Sequence, residues 1–138
     1  MTIDIKVLAL ANLIVQSLLM AVLALAAYNS IIKGNFTKHC AILRIAVPVQ
    51  LLAVALIMSP SMLGYLSNEH KGTLFNAEIL IHHTLGEIVI VVWLYANLVL
   101  LKVIKPWIKL VSVMRLAFAS WITAYLIGVY LYVTIYGF

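Results

Sequence analysis

The sequence predicts an all-α polytopic membrane protein, an up-down bundle of four transmembrane helices with both termini extracytoplasmic, and three observations carry that reading. Of the 138 residues, 66% are hydrophobic and only 9% are charged. The charges punctuate four apolar blocks, each long enough to cross a hydrocarbon core of roughly 30 Å. Seven of the nine basic residues (Lys33, Lys38, Arg44, Lys102, Lys105, Lys109 and Arg115) fall at the first and third connections between blocks, and positive residues are retained on the cytoplasmic side. Lys6, Lys71 and the four acids Asp4, Glu69, Glu78 and Glu87 then lie on or toward the opposite side. The expected location is the cytoplasmic membrane of a prokaryote.

The blocks run over about residues 7–32, 39–66, 78–104 and 110–136, within a single transmembrane domain covering 1–138. Because a bilayer offers no water to unpaired backbone groups, each block is expected to be helical throughout; a barrel would need alternating polarity, which these runs lack. Connections of roughly a dozen residues or fewer are too short to host an extramembrane catalytic domain. Chemistry is therefore expected within the bundle or at its edge. The net charge of +5 follows from the positive-inside bias and anionic inner-leaflet lipid, without nucleic acid as a partner.

In the first block, Lys6, the apolar run and the small residues Ala24 and Ala26 look like parts of a signal peptide. The run exceeds an ordinary signal core, so it is expected to be retained as a helix. Asn12, Gln16 and Ser17 form a polar spot there, suited to interhelical hydrogen bonds in the bundle or with a neighbouring subunit.

The second block opens on Lys38-His39-Cys40 and continues to Arg44, with Gln50 eleven residues after His39 and nearly above it on the same face. His39 stands at the inner membrane edge. It is a candidate axial ligand for haem b, with Arg44 or Arg115 near the propionates, or an interfacial histidine beside snorkelling cations. Pro48 and Pro60 are expected to kink this helix or end it early. Cys40 is the only cysteine, which rules out an intramolecular disulfide and suits a small packing residue near the inner face.

The third block is the most informative. Glu78 and His82 are one turn apart, as are His83 and Glu87, so each histidine has a carboxylate stacked beside it. Together with His70 and Glu69 in the preceding connection, this spacing makes His70, His82, His83, Glu78 and Glu87 candidate ligands for copper or zinc. The structural alternative pairs His83 with Glu87 and leaves Glu78 and His82 marking the interface. Glu87 lies about 13 Å of helical rise beyond Glu78, deep in the membrane. A carboxyl there is expected either to hold its proton or to be paired, with His83 or with a group from another subunit. His82 and His83 near the outer edge and His39 at the inner edge differ in depth, which disfavours one bis-histidine haem within one chain.

Pro106 breaks the chain between the third and fourth blocks while Trp107 anchors the interface. The fourth block presents Ser120, Ala124 and Gly128 at four-residue intervals, a small-residue stripe for close helix approach. Tyr125, Tyr130, Tyr132 and Tyr136 crowd toward its outer end as an aromatic belt.

The run from Gly34 to His39, the run from Ile81 to Glu87, and the run from Arg115 to Trp121 followed by Gly128-Val129-Tyr130 resemble the YozB/CtaM-like family. That family consists of small four-helix membrane proteins linked to cytochrome oxidase assembly or function. The resemblance matches His39 to the histidine opening the family's second helix, and His82 or His83 to the one in its third. Where the family tends to carry a histidine among basic residues before the fourth helix, this chain has Lys109 and Arg115 and no histidine. The function expected first is an accessory or assembly subunit of a larger membrane oxidoreductase, either a respiratory oxidase or a copper-dependent monooxygenase. Other integral membrane subunits, lipid and quinone would be its partners. A haem or metal-binding redox protein is the second expectation, and a small proton-coupled transporter using Glu87 is the third.

Overall fold

The computed structural model describes residues 5–60, 63 and 73–137. Among them the regular structure is helical: α1 (Ile5–Ile31), α2 (Phe36–Ala53) running on into a π-helical stretch (Val54–Met58), α3 (Thr73–Leu100) and α4 (Leu110–Tyr136). Four spans of 26, 23, 25 and 27 residues are long and apolar enough to cross a membrane. Even the shortest rises about 34 Å. Large apolar side chains such as Leu18, Ile45, Leu56, Val91 and Leu126 are more than half exposed. Such surfaces suit a lipid solvent and would be a liability in water.

The chain forms two compact units, one built on α1 and α2 and the other on α3 and most of α4. In the first, one stripe of α1 (Gln16, Leu19, Leu23, Ala26 and Asn29) is buried at spacings of three and four, as are Ala46, Val47, Gln50 and Ala53 on α2. Gln16 Nε2 donates to Gln50 Oε1 at 2.7 Å, and His39 Nδ1 lies 2.9 Å from the Ala26 carbonyl. Ascending α1 thus pairs with descending α2, and the two helices are antiparallel.

The turn between them is built from local chemistry. Gly34 takes φ +61°, a left-handed conformation that costs glycine nothing. Asn35 then caps α2, its Oδ1 accepting from the Lys38 N–H at 3.0 Å. Lys33 lies with Nζ 5.2 Å from the centre of the Tyr28 ring, a cation held over an aromatic face at the helix end.

Of the two outcomes expected at Pro48, an early end does not occur: α2 runs through it. It adjusts near Pro60 instead. Proline has no N–H, and in α register its ring would meet the carbonyl four residues back, at Leu56. The preceding turn widens: the Ser59 N–H bonds to the Val54 carbonyl, five residues back, and Ser59 Oγ donates to the same oxygen at 2.9 Å.

The end of α3 also departs from the expected residue 104. Lys102 adopts φ +59°, its N–H bonds to Val99 O at 3.0 Å, and the Val103 N–H bonds to Leu98 O at 2.9 Å. Those two bonds define a Schellman cap, which closes the helix without glycine. Beyond it the Tyr95 hydroxyl accepts from the backbone N–H groups of Trp107 (3.0 Å) and Ile108 (3.3 Å), bracing the connection that Pro106 breaks.

Candidate functional site

His82 sits six residues into the span that begins at Asn76, on the same α3 stripe as the buried Ile79, Gly86 and Val89. Its ring reaches α4, where Nδ1 lies 2.8 Å from the Ala124 carbonyl. A carbonyl oxygen can only accept, so Nδ1 carries the hydrogen and Nε2 of the neutral ring keeps a lone pair. The Ala124 oxygen also serves the α4 ladder, and its second lone pair is accessible because the alanine side chain is small.

Gly128 lies one turn further along α4. A Cβ there would stand 2.9 Å from His82 Cε1 and 3.5 Å from Nδ1, so the imidazole occupies the volume that a side chain would fill. The small-residue stripe is thus the bed of this ring: Ala124 supplies the acceptor and Gly128 the space. Beside it stands His83, with ring centres 5.2 Å apart and planes at 82°. Among the described residues, neither His83 nor His82 Nε2 has a hydrogen-bond partner.

The carboxylates are placed differently from the stacked arrangement that the spacing suggests. Glu78 is half-buried and Glu87 is exposed, and neither forms an ion pair or hydrogen bond among the described residues. The expected His83–Glu87 pair is therefore not made. The helix turns Glu87 onto the surface of the chain about 16 Å of rise from the start of its span, near the middle of that span. Among the described residues, no group of three or more His, Cys, Asp or Glu side chains gathers. His70 and Glu69 lie outside the described residues.

At the first unit, His39 repeats the geometry of His82. Its Nδ1 donates to the carbonyl of Ala26, a fully buried alanine of the facing helix, and Nε2 keeps the lone pair. Cys40 is a half-buried free thiol, and Arg44 and Arg115 are exposed.

The polar spot on α1 proves to be interhelical through Gln16 and Gln50, while Ser17 turns back to Leu13 O at 2.8 Å. Asn12 Oδ1, one turn before Gln16, is buried without a hydrogen-bond partner among the described residues, as are Asn76 Oδ1 and the Trp121 indole N–H. Tyr95 had no signal in the sequence beyond being an ordinary apolar-block residue, and Ala124 was visible only as one of a small-residue stripe, not as an acceptor. Comparison with protein-family models, curated proteins and solved structures finds no match for the chain. Fold and geometry define it as a helical protein with four spans fit to cross a membrane.

Proposed function

We propose that this chain is a small accessory or assembly subunit of a larger membrane oxidoreductase, inserted in a prokaryotic cytoplasmic membrane with both termini outside. The observation that carries the subunit reading is Glu87. It lies near the middle of the Asn76–Leu100 span on the chain's exposed surface, with no partner among the described residues, and insertion of that span would set it near mid-bilayer. A carboxyl facing hydrocarbon costs several kcal/mol, about 2.5–3.5 kcal/mol on insertion scales for an aspartate at a helix centre. A donor or cation from a neighbouring subunit removes that cost. The oxidoreductase reading rests on the family resemblance and on histidines presented with free lone pairs.

Gentle extraction from native membranes followed by mass spectrometry tests this. The wild-type chain is expected to co-purify with subunits that bear redox centres, and Glu87→Leu is expected to lose them because it strands the partner's polar group. An isolated wild-type chain, or a Glu87→Leu variant that keeps its partners, would count against the proposal.

A second reading, a b-type haem protein, is favoured by the shared geometry of His39 and His82. Each imidazole has its tautomer set by an alanine carbonyl and Nε2 left available to iron, the arrangement that orients metal-bound histidines. Because the two histidines differ in depth, each would serve a separate haem, and the reading requires a Soret band on the purified chain that His39→Gln and His82→Gln each reduce in part.

A further inference from the structure

The connection between α3 and α4, residues 101–109, shows nearly all of its side chains to the surroundings: every residue but Ile104 is exposed. Leu101, Val103, Trp107 and Ile108 are large and apolar, at 71%, 65%, 85% and 60% exposure. Lys102, Lys105 and Lys109 are interleaved with them, and Arg115 is exposed in the second turn of α4. These cations make no ion pair among the described residues, and the chain carries no acid after Glu87. A surface that is apolar and cationic at once suits neither water nor hydrocarbon. It suits the zone between them.

The connection is also held in shape. The Tyr95 hydroxyl accepts from the Trp107 N–H at 3.0 Å and the Ile108 N–H at 3.3 Å, and it donates to the Ile108 carbonyl at 3.4 Å. Lys102 stands at φ +59°, where side chains are disfavoured. Glycine would close such a cap without strain, so a lysine there points to a use for its charge.

We propose that residues 101–109, braced by Tyr95, form a docking surface for the headgroups of acidic phospholipids. The connection joins a span that ends at Leu100 to one that begins at Leu110, so insertion of those spans brings it to the level of the headgroups. Tryptophan is favoured at that level, and a cluster of basic residues beside a span attracts anionic lipid. The lysines need not meet at one phosphate, because each adds to the attraction of an extended charged surface. Charge complementarity selects acidic lipid over neutral lipid, and the exposed apolar residues select a lipid surface over a free anion in water.

The test uses the full chain reconstituted in phosphatidylcholine vesicles that contain a minor share of phosphatidylglycerol in both leaflets, so its outcome does not depend on the orientation of the chain. Bromine, which quenches tryptophan on contact, is carried by one lipid or the other at equal mole fraction, and the share of Trp107 is the difference between wild type and Trp107→Phe. Brominated phosphatidylglycerol is expected to quench that share at least about twice as strongly as brominated phosphatidylcholine, the mark of local enrichment. The combined Lys102→Gln, Lys105→Gln and Lys109→Gln variant changes only exposed side chains and should bring the ratio to about one. Tyr95→Phe keeps every charge but frees the backbone of the connection, and should lower the ratio as preorganisation is lost. Equal quenching by the two lipids in wild type, or a ratio that survives in the combined lysine variant, would overturn the proposal; a ratio unchanged in Tyr95→Phe would overturn the part given to that residue. No partner subunit is needed, so the outcome is separate from that of the co-purification above.

Discussion

An amide on an apolar helix must find a partner in a bilayer, and Gln16 finds one across the first helix pair at 2.7 Å. Gln16 was legible in the sequence as part of a polar spot suited to interhelical hydrogen bonds, whereas Gln50 was read only as lying on the face of His39. Replacing either alone with leucine leaves the other amide buried and unmatched, a loss of about 1–3 kcal/mol. The double replacement is expected to recover most of that, because no orphan remains. Unfolding in mixed micelles, followed by the fluorescence of the tryptophans, would show this coupling; equal and additive losses would mean the bond contributes nothing specific.

The histidines were legible as candidates but not in their contacts. Spacing along one helix reports which side chains are neighbours on that helix, so it suggested carboxylates beside His82 and His83. The actual partner of His82 is a backbone carbonyl on another helix. Every residue carries a carbonyl, so no residue type announces that it will accept. Gly128 was visible as a small residue, yet the ring it admits could be known only from the packing.

At the scale of the element, the helices were readable because a membrane leaves the backbone no alternative. Their ends were less so. The third helix stops at Leu100 through a left-handed lysine, where a glycine would have been the usual signal. A non-glycine residue in that conformation costs roughly 1 kcal/mol. Lys102→Gly should therefore raise the stability of the chain in mixed micelles by about 0.5–1 kcal/mol, less the entropy that glycine adds to the unfolded state. An unchanged or lowered midpoint would show that the lysine side chain contributes more than its backbone strain costs. Proline was equally ambiguous in the second helix. Pro48 is accommodated within the α-helix, while Pro60 follows a π-helical turn and a serine that bonds the displaced carbonyl.

For the whole molecule, composition and charge placement carried the fold class, and four membrane-capable helices are present. Orientation rests on the positive-inside bias alone. It is checked by placing single cysteines at Lys38 and Lys105 in a Cys40→Ser background and labelling with a membrane-impermeant maleimide. Labelling only after the cytoplasmic side is opened is expected, and labelling of intact cells would invert the topology. A cysteine at Gly137 should behave oppositely.

The imidazole bed on the fourth helix leaves a mark on how this chain can change over time. Position 124 offers only its backbone oxygen, so glycine or serine there would preserve the contact and the lineage can drift among small residues. Position 128 has less latitude, because a methyl group there would stand 2.9 Å from the ring and the ring would have to shift. Two sites one helical turn apart, serving the same histidine, thus differ in how much substitution they can accept.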